Sequence, residues 1–401
     1  MHLLLSILFG VLVIYCALSV LYLFIFSFSG SLFYKKKKEQ DKPSTKKIAI
    51  LVPAYKEDNI IVSTATSLLN LNYPTELYDV YILADSFQHE TLEKLHQLAI
   101  NVFEVSFDKS TKTKSLNEGF KRIKKEYDIA LICDADNVLA KDFLQKINNA
   151  FIKGVKAVQG RRVAKNLDTS FAILDACSEA INNNIFRKGP SAIGLSSSVI
   201  GSGMAFEFDT IKNILSKISA VGGFDKILQL DLVEKGIKIK YLDDAIIFDE
   251  KVDSSHAFKQ QRKRWVSSQF IYLKRFFLPA FRQLFKGNLS YFNLAIANNI
   301  VLPRALLLAI LPLLILIAFF QSKIWVIVTL IMFVLFCISM IISLPKALVN
   351  KNFFFAVLKL PKAVAVMIGT VFQINKANKT FIHTVHTKTE VSNTLFNDHG
   401  N

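Results

Sequence analysis

Two aspartates one residue apart, Asp134 and Asp136, follow the apolar run 128–133. If that run is a strand, its period-two geometry turns both carboxylates to the same side. Carboxylate oxygens with open positions suit Mg²⁺ or Mn²⁺, which bind one or two carboxylates plus the phosphate oxygens of a substrate. A turn-forming pair of aspartates is the plain alternative. Asp85 stands in a similar place after the run 78–84, where a turn or a helix cap would also use it. Lys114, in Lys114-Ser115-Leu116-Asn117-Glu118-Gly119, has either phosphate or water to face. Gln261, Arg264 and Trp265 fall at i, i+3 and i+4 and share one helical face. Arginine grips a diphosphate bidentately, and an indole offers a platform to a sugar ring. A surface helix entering a membrane interface carries the same residue types.

These residues need elements to position them. The apolar runs 47–52, 78–84, 102–107 and 128–133 read as buried strands, the first closed by Pro53. Helical patterns over 60–70 and 91–99 separate them. The alternation predicts an α/β fold, a mixed but mainly parallel sheet with helices on both faces. Ligands of such sheets bind outside the carboxyl ends of the strands. Pro53-Ala54-Tyr55, Asp85 and Asp134-Ala135-Asp136 would therefore meet at one edge. No GxGxxG and no GxxxxGK[ST] occurs, which excludes the usual dinucleotide and P-loop cradles.

Composition adds a second environment. Only 20% of the 401 residues are charged, against about 25% in soluble domains, and the apolar excess is gathered in blocks. Disorder and a disulfide-stapled module are excluded. Four scattered cysteines (Cys16, Cys133, Cys177, Cys337), with no metal spacing, point to a reduced, cytosol-facing domain. Residues 3–33 are uncharged and long enough to span a bilayer. Lys35 to Lys38 follow that run and nothing basic precedes it, so the sequence reads as an uncleaved anchor with the next segment in the cytoplasm. Residues 301–320 and 324–344 predict a helical hairpin, with Arg304 near one end. Residues 353–374, interrupted by Lys359, Pro361 and Lys362, fit an interfacial or re-entrant helix, and 270–285 reads as a helix in the headgroup plane. The net charge of +17 suits anionic headgroups; no nucleic-acid-binding pattern accompanies it.

Taken in order, these motifs resemble the processive branch of family 2 glycosyltransferases, which includes the cellulose, chitin, hyaluronan and poly-N-acetylglucosamine synthases. The resemblance implies a GT-A-like, Rossmann-type domain with transmembrane helices. It implies that Pro53, Ala54, Tyr55, Glu57 and Asp85 hold the base and ribose of a nucleoside-diphosphate sugar. Lys114 and Asp134 would contact the nucleotide, and Asp136, with Asp134, the metal on the diphosphate. Gly201-Ser202-Gly203 resembles the loop that shapes the acceptor pocket, and Gln261, Arg264 and Trp265 would hold the acceptor and the leaving diphosphate. The family's Thr-Glu-Asp base motif is followed eleven residues later by glycine. Asp225, eleven residues before Gly236, takes that position, although Phe224 replaces the glutamate; Asp231 is the reserve.

The resulting expectation is inverting transfer from a nucleotide sugar, UDP-linked by resemblance, to a saccharide or lipid-linked acceptor, building a β-linked polysaccharide at the cell membrane. Transfer of a single sugar to a lipid or short saccharide is the alternative within the family. Few spans are present for a private export path, which an oligomer or export partner would complete. Asp134-x-Asp136-x-Val138 also fits the signature of haloacid-dehalogenase-type phosphotransferases, and a non-catalytic membrane scaffold is the non-enzymatic rival. The expected organisation is an anchor (1–34), a basic linker (35–46), a catalytic domain (47–266), interfacial helices (267–296), a hairpin (297–345), an interfacial or re-entrant helix (346–375) and a cytoplasmic tail (376–401). Residues 378–384 of the tail are a candidate lid over the nucleotide.

Overall fold

Eight strands form one sheet among the residues described by the computed structural model, which are 2–35, 40–220, 222–253, 255–371 and 386–393. They are β1 (Ile48–Tyr55), β2 (Tyr78–Asp85), β3 (Asn101–Val105), β4 (Ile129–Ile132), β5 (Val138–Leu139), β6 (Ala157–Ala164), β7 (Met204–Glu207) and β8 (Lys240–Asp249). Their spatial order is β3-β2-β1-β4-β7-β6-β8-β5. Strand β1 pairs in parallel with β2 and β4, β2 with β3, and β6 with β8. Strand β7 runs against both β4 and β6, and β5 against β8. Two reversals restore direction, so β1, β2, β4, β6 and β8 all end at the same edge. The strand order turns back between β1 and β4, the position where open α/β sheets bind ligands.

The near-continuous apolar runs of β1, β2 and β4 follow from burial on both faces. Ile48, Ile50, Ile82, Leu131, Val158 and Ile247 are among the core residues. The expectation that Pro53 closes β1 is corrected: the strand continues to Tyr55, with Pro53 opposite Leu83. The Leu51 carbonyl accepts from Cys133 N, so the backbone polar groups of odd-numbered β1 residues face β4. That ladder ends at the Leu51–Ile132 pair, and proline lacks its N–H where no partner strand remains.

The chain divides into two compact units: Lys36–Asp168, Ser196–Val252 and Asn378–Asn401 form the sheet unit, and Met1–Lys35, Thr169–Leu195 and Asp253–Ala377 form the helical unit. The single stretch expected at 47–266 is thus interrupted. The reason is packing: Ile181 and Ile185 belong to the same apolar cluster as Phe9, Val13, Cys16, Val20 and Leu23 of the first helix. The three- and four-residue spacing of those five residues makes one helical stripe, which meets Leu307, Leu311, Leu314 and Ala318.

Among the described residues, two helical segments are long and apolar enough to cross a membrane, Leu4–Phe33 and Lys323–Ser343. The expected span at 301–320 is different: its helix begins at Arg304, after Pro303, and runs to Ala318. It reaches spanning length only together with Leu289–Ile300, from which it bends by 58°. Residues 353–371 lie in two short helices, Lys351–Val357 and Leu360–Val371.

Candidate active site

The carboxyl edge of the sheet is built from abrupt strand ends. Lys56 (φ 55°) and Ser86 (φ 60°) follow β1 and β2 in left-handed backbone conformations, which non-glycine residues adopt at some cost, typically near functional sites. Lys56 N donates to the Asp85 carbonyl, joining the two turns. Asp85 is 1% exposed. Its Oδ1 accepts from Ser86 Oγ at 3.0 Å, whereas Oδ2 is buried without a partner among the described residues. A buried unsatisfied carboxylate oxygen is costly and marks a place where a donor group fits.

Strand β4 ends two residues before Asp134. Asp134 N donates to Ser202 Oγ at 2.9 Å, and Ser202 in turn bonds Asn137. The Gly201-Ser202-Gly203 loop needs positive φ at both glycines, 83° and 60°, which glycine adopts freely. Gln159 of β6 fixes this loop by donating to the Ser202 carbonyl at 2.9 Å and accepting from Ile200 N at 3.0 Å. The lysine at this point is Lys112: its ammonium donates to Asp134 and, at 2.8 Å, to the Gly201 carbonyl. Lys114 instead turns its ammonium to the Lys109 carbonyl at 2.9 Å. Lys112 also lies 5.7 Å from the Phe224 ring centroid, at the start of the Phe224–Glu234 helix. Asp225 stands in the first turn of that helix. Burial holds its carboxyl above the usual range, while Lys226 and Lys112 act in the opposite sense.

Asp136 is buried, its Oδ2 accepting from Glu250 N at 3.2 Å and its Oδ1 from Asn137 Nδ2 at 3.2 Å. Burial pushes its carboxyl up, and Asp249 and Asp134 add to the push, opposed by His386. A divalent cation would relieve this crowding of negative charge. No group of three His, Cys, Asp or Glu side chains at metal-holding spacing occurs among the described residues. An ion held by one or two carboxylates and completed by substrate phosphates is the usual habit of Mg²⁺, and the donors this edge offers are the Asp134 and Asp136 carboxylates.

Four features of the edge were not anticipated. Lys165, fully buried after β6, donates to the carbonyls of Asp136 (3.0 Å) and Lys388 (2.6 Å). Asp249, at the end of β8, accepts from Asn137 Nδ2 at 3.3 Å. Glu250 receives the backbone N–H groups of Thr387 and Lys388 at 3.2 and 3.0 Å. His386 Nδ1 lies 3.0 Å from Glu57 Oε1; burial alone would lower its pKa, but Asp136, Glu57 and Glu250 raise it to about 10. Residues 386–393 thus strap the carboxyl edge, with Val391 packed on Val163, Ile246 and Phe248. The candidate lid at 378–384 lies outside the described residues. The signal for Lys112 was present: Leu116 and Phe120 mark the buried helix face, and 112 is one turn before 116, whereas 114 points elsewhere.

The sheet unit therefore gathers Pro53, Ala54, Tyr55, Glu57, Asp85, Asp134 and Asp136 at one edge, with the Gly201–Gly203 loop bonded to Asp134. Gln261, Arg264 and Trp265 belong to the helical unit, on the Ser255–Phe285 helix. Gln261 Oε1 is buried without a partner among the described residues, and Trp265 is 38% exposed.

Comparison with known proteins gives a family and a fold. The family described as "Glycosyltransferase like family 2" matches residues 43–268. Beta-monoglucosyldiacylglycerol synthase of Trichormus variabilis is 25% identical over 232 residues, 56% of this chain and 49% of that protein. Poly-beta-1,6-N-acetyl-D-glucosamine synthase of Staphylococcus epidermidis is 25% identical over 274 residues, 66% of this chain and 64% of that protein. The chain thus spans 49% of the one relative's length and 64% of the other's. Among solved structures, the mannosyltransferase PcManGT of Pyrobaculum calidifontis, in complex with GDP-Man and Mn²⁺, aligns over 90% of this chain and 99% of its own, with a TM-score of 0.51 and 15% identity. That likeness is one of fold.

Proposed function

Since the chain belongs to glycosyltransferase family 2, we propose that it transfers a sugar from a nucleoside diphosphate to an acceptor hydroxyl at a membrane surface, with inversion at the anomeric carbon. The observation that carries this reading is the buried, unpartnered Asp85 Oδ2, on the same sheet edge as the Asp134 and Asp136 carboxylates. One end accepts a hydrogen bond, as a ribose or base donates one; the other suits a metal-bound diphosphate. Asp136 and Asp134 would hold Mg²⁺ or Mn²⁺, which when bound neutralises charge on the departing diphosphate as a Lewis acid.

The chain's own residues divide the remaining work. Asp85 and the Pro53–Glu57 turn orient the nucleoside. Lys112 holds Asp134 and the Gly201 carbonyl together, fixing the carboxylate beside the loop proposed to shape the acceptor pocket. Asp225, with its raised proton affinity, takes the proton of the attacking hydroxyl as general base. Gln261, Arg264 and Trp265 hold the acceptor sugar and the diphosphate. In-line displacement by one base converts an α-linked donor into a β-linked product, whereas glycosidases need two carboxylates flanking the bond. The basic run after the anchor helix supports a cytoplasmic catalytic unit. Family membership also displaces the phosphotransferase reading of Asp134.

A β-linked polysaccharide is the product this reading favours, in line with the S. epidermidis relative. Transfer of one sugar to a lipid is the second reading, supported by the glucolipid synthase relative. Detergent-purified protein with Mn²⁺ is given labelled UDP-glucose, UDP-N-acetylglucosamine or GDP-mannose, and either diacylglycerol vesicles or short oligosaccharides. A β-linked product, sized by chromatography, is expected from one pair. An α-linked product, or no transfer and no donor hydrolysis throughout, refutes the proposal.

A further inference from the structure

We propose that Asp175 and Arg262 are positioning residues that hold the indole of Trp265 in one orientation for the acceptor. The inference rests on the reading of Trp265 as the acceptor platform. Arg262 lies inside the Gln261–Trp265 run and, at i, i+4 from Phe258 and i, i+3 from Trp265, lies against both rings. It is 6% exposed, and its Nη2 donates to Asp175, which is 3% exposed on the Ser170–Asn182 helix. The guanidinium is also stacked: its carbon lies 4.7 Å from the Phe258 centroid and 4.4 Å from the Trp265 centroid. Phe258 in turn meets Phe171 at 6.0 Å.

The stack runs from Phe171 through Phe258 and Arg262 to Trp265, with Asp175 fixing the one charged member. Trp265 ends it, with an indole that stays 38% exposed. A side chain so exposed on a helix surface ordinarily samples several rotamers. A planar cation beneath the ring, itself held by a carboxylate on another helix, removes that freedom and leaves the outer face open. Stability alone accounts poorly for the pair, because buried ion pairs gain little over apolar replacements of equal shape. Orientation accounts for it well, since displacing a positioning group by about 1 Å costs up to about 100-fold in rate.

The test uses full-length protein carrying Trp325→Phe, which leaves Trp265 as the sole indole. Asp175→Asn and Arg262→Gln are made singly and together; the double variant removes both charges, so that neither is left buried and unpaired. Iodide quenching of the indole is read without any ligand, and acceptor and donor KM are read with the pair identified by the donor panel. The double variant is expected to quench more readily and to raise acceptor KM about tenfold, with donor KM unchanged. Arg262→Lys, which keeps charge but not the planar stack, is expected to restore neither value. Unchanged quenching in the folded double variant overturns the proposal, as does an equal rise in both KM values. Trp265→Phe separates the two ideas: if it leaves acceptor KM unchanged, the acceptor platform is lost, and positioning for acceptor binding is overturned with it. Altered quenching with a normal Trp265→Phe acceptor KM therefore points to failure of the underlying reading, not of the clamp's geometry.

Discussion

Replacing Lys112 by methionine keeps the aliphatic stem and deletes the ammonium, so it isolates one charge at the centre of the site. That ammonium donates to Asp134 and to the Gly201 carbonyl, and its side chain is 22% exposed beside a 35% exposed carboxylate. Hydrogen bonds to charged groups contribute about 1.5–3 kcal/mol each, and partial exposure discounts the ionic part. A loss of about 2–3 kcal/mol is the reasonable sum, or about 30- to 150-fold in kcat/KM. The second consequence concerns Asp225, whose carboxyl Lys112 draws downward against the upward push of burial. Without Lys112 that carboxyl rises further. A base works only when deprotonated, so the acidic limb of the pH–rate profile moves to higher pH. The assay is initial-rate transfer from about pH 4 to 9 at saturating metal, for parent and variant. A kcat/KM within threefold of the parent, or an acidic limb that stays or moves to lower pH, refutes the reasoning.

Three further outcomes are expected. Asp225→Asn lowers turnover by about 10²- to 10⁴-fold while calorimetry shows nucleotide binding retained; near-normal turnover would transfer the role to Asp231. Truncation before His386 removes the imidazole that faces Glu57, the Lys388 backbone N–H that donates to Glu250 and the Lys388 ammonium that faces Asp168; donor KM is expected to rise about tenfold, the order of one charged hydrogen bond, and an unchanged KM would show the strap to be structural only. Gly189→Ala would set a methyl 2.3 Å from the Phe26 carbonyl, and because backbone must move the helical unit is expected to lose about 2–3 kcal/mol, read as a lower midpoint of thermal unfolding in detergent.

Much of the sheet was legible because each central strand is buried on both faces and so writes itself as an uninterrupted apolar run. The aspartates that end β2 and follow β4 were legible for the same reason: polarity begins where the run stops. Strand β1 misled, because proline usually ends a strand, and only the shortness of β4 frees the Pro53 position from needing a hydrogen bond. The sequence singles out Lys114, with either phosphate or water to face, and not Lys112. The helix decides otherwise, since Thr111 caps it by accepting from Lys114 N and fixes which side of the first turn faces the sheet. The interruption at Thr169–Leu195 was not legible, because nothing local distinguishes an apolar face that meets the first helix from one that covers a sheet.

What the sequence hid most completely is charge balance, and the sheet's directions explain why. Strands β6 and β8 end on the same edge as β1, β2 and β4 only because β7 reverses between β4 and β6, a fact of pairing with no local signature. Their ends bring Lys165, Asp249 and Glu250 to Asp136, from stretches about 30 and 115 residues away along the chain. The strap 386–393 adds His386 and Lys388 from farther still. Six carboxylates, Glu57, Asp85, Asp134, Asp136, Asp249 and Glu250, thereby share the edge with Lys112, Lys165, His386, Lys388 and Lys251, which lies 2.7 Å from Asp249. Lys165 is fully buried and bonds carbonyls, not carboxylate oxygens, so Asp136 keeps the raised proton affinity that burial and Asp249 impose. A surplus of negative charge at that one carboxylate, with cations arrayed around it, is the electrostatic form a site needs if it is to take a divalent ion and a polyanionic diphosphate together.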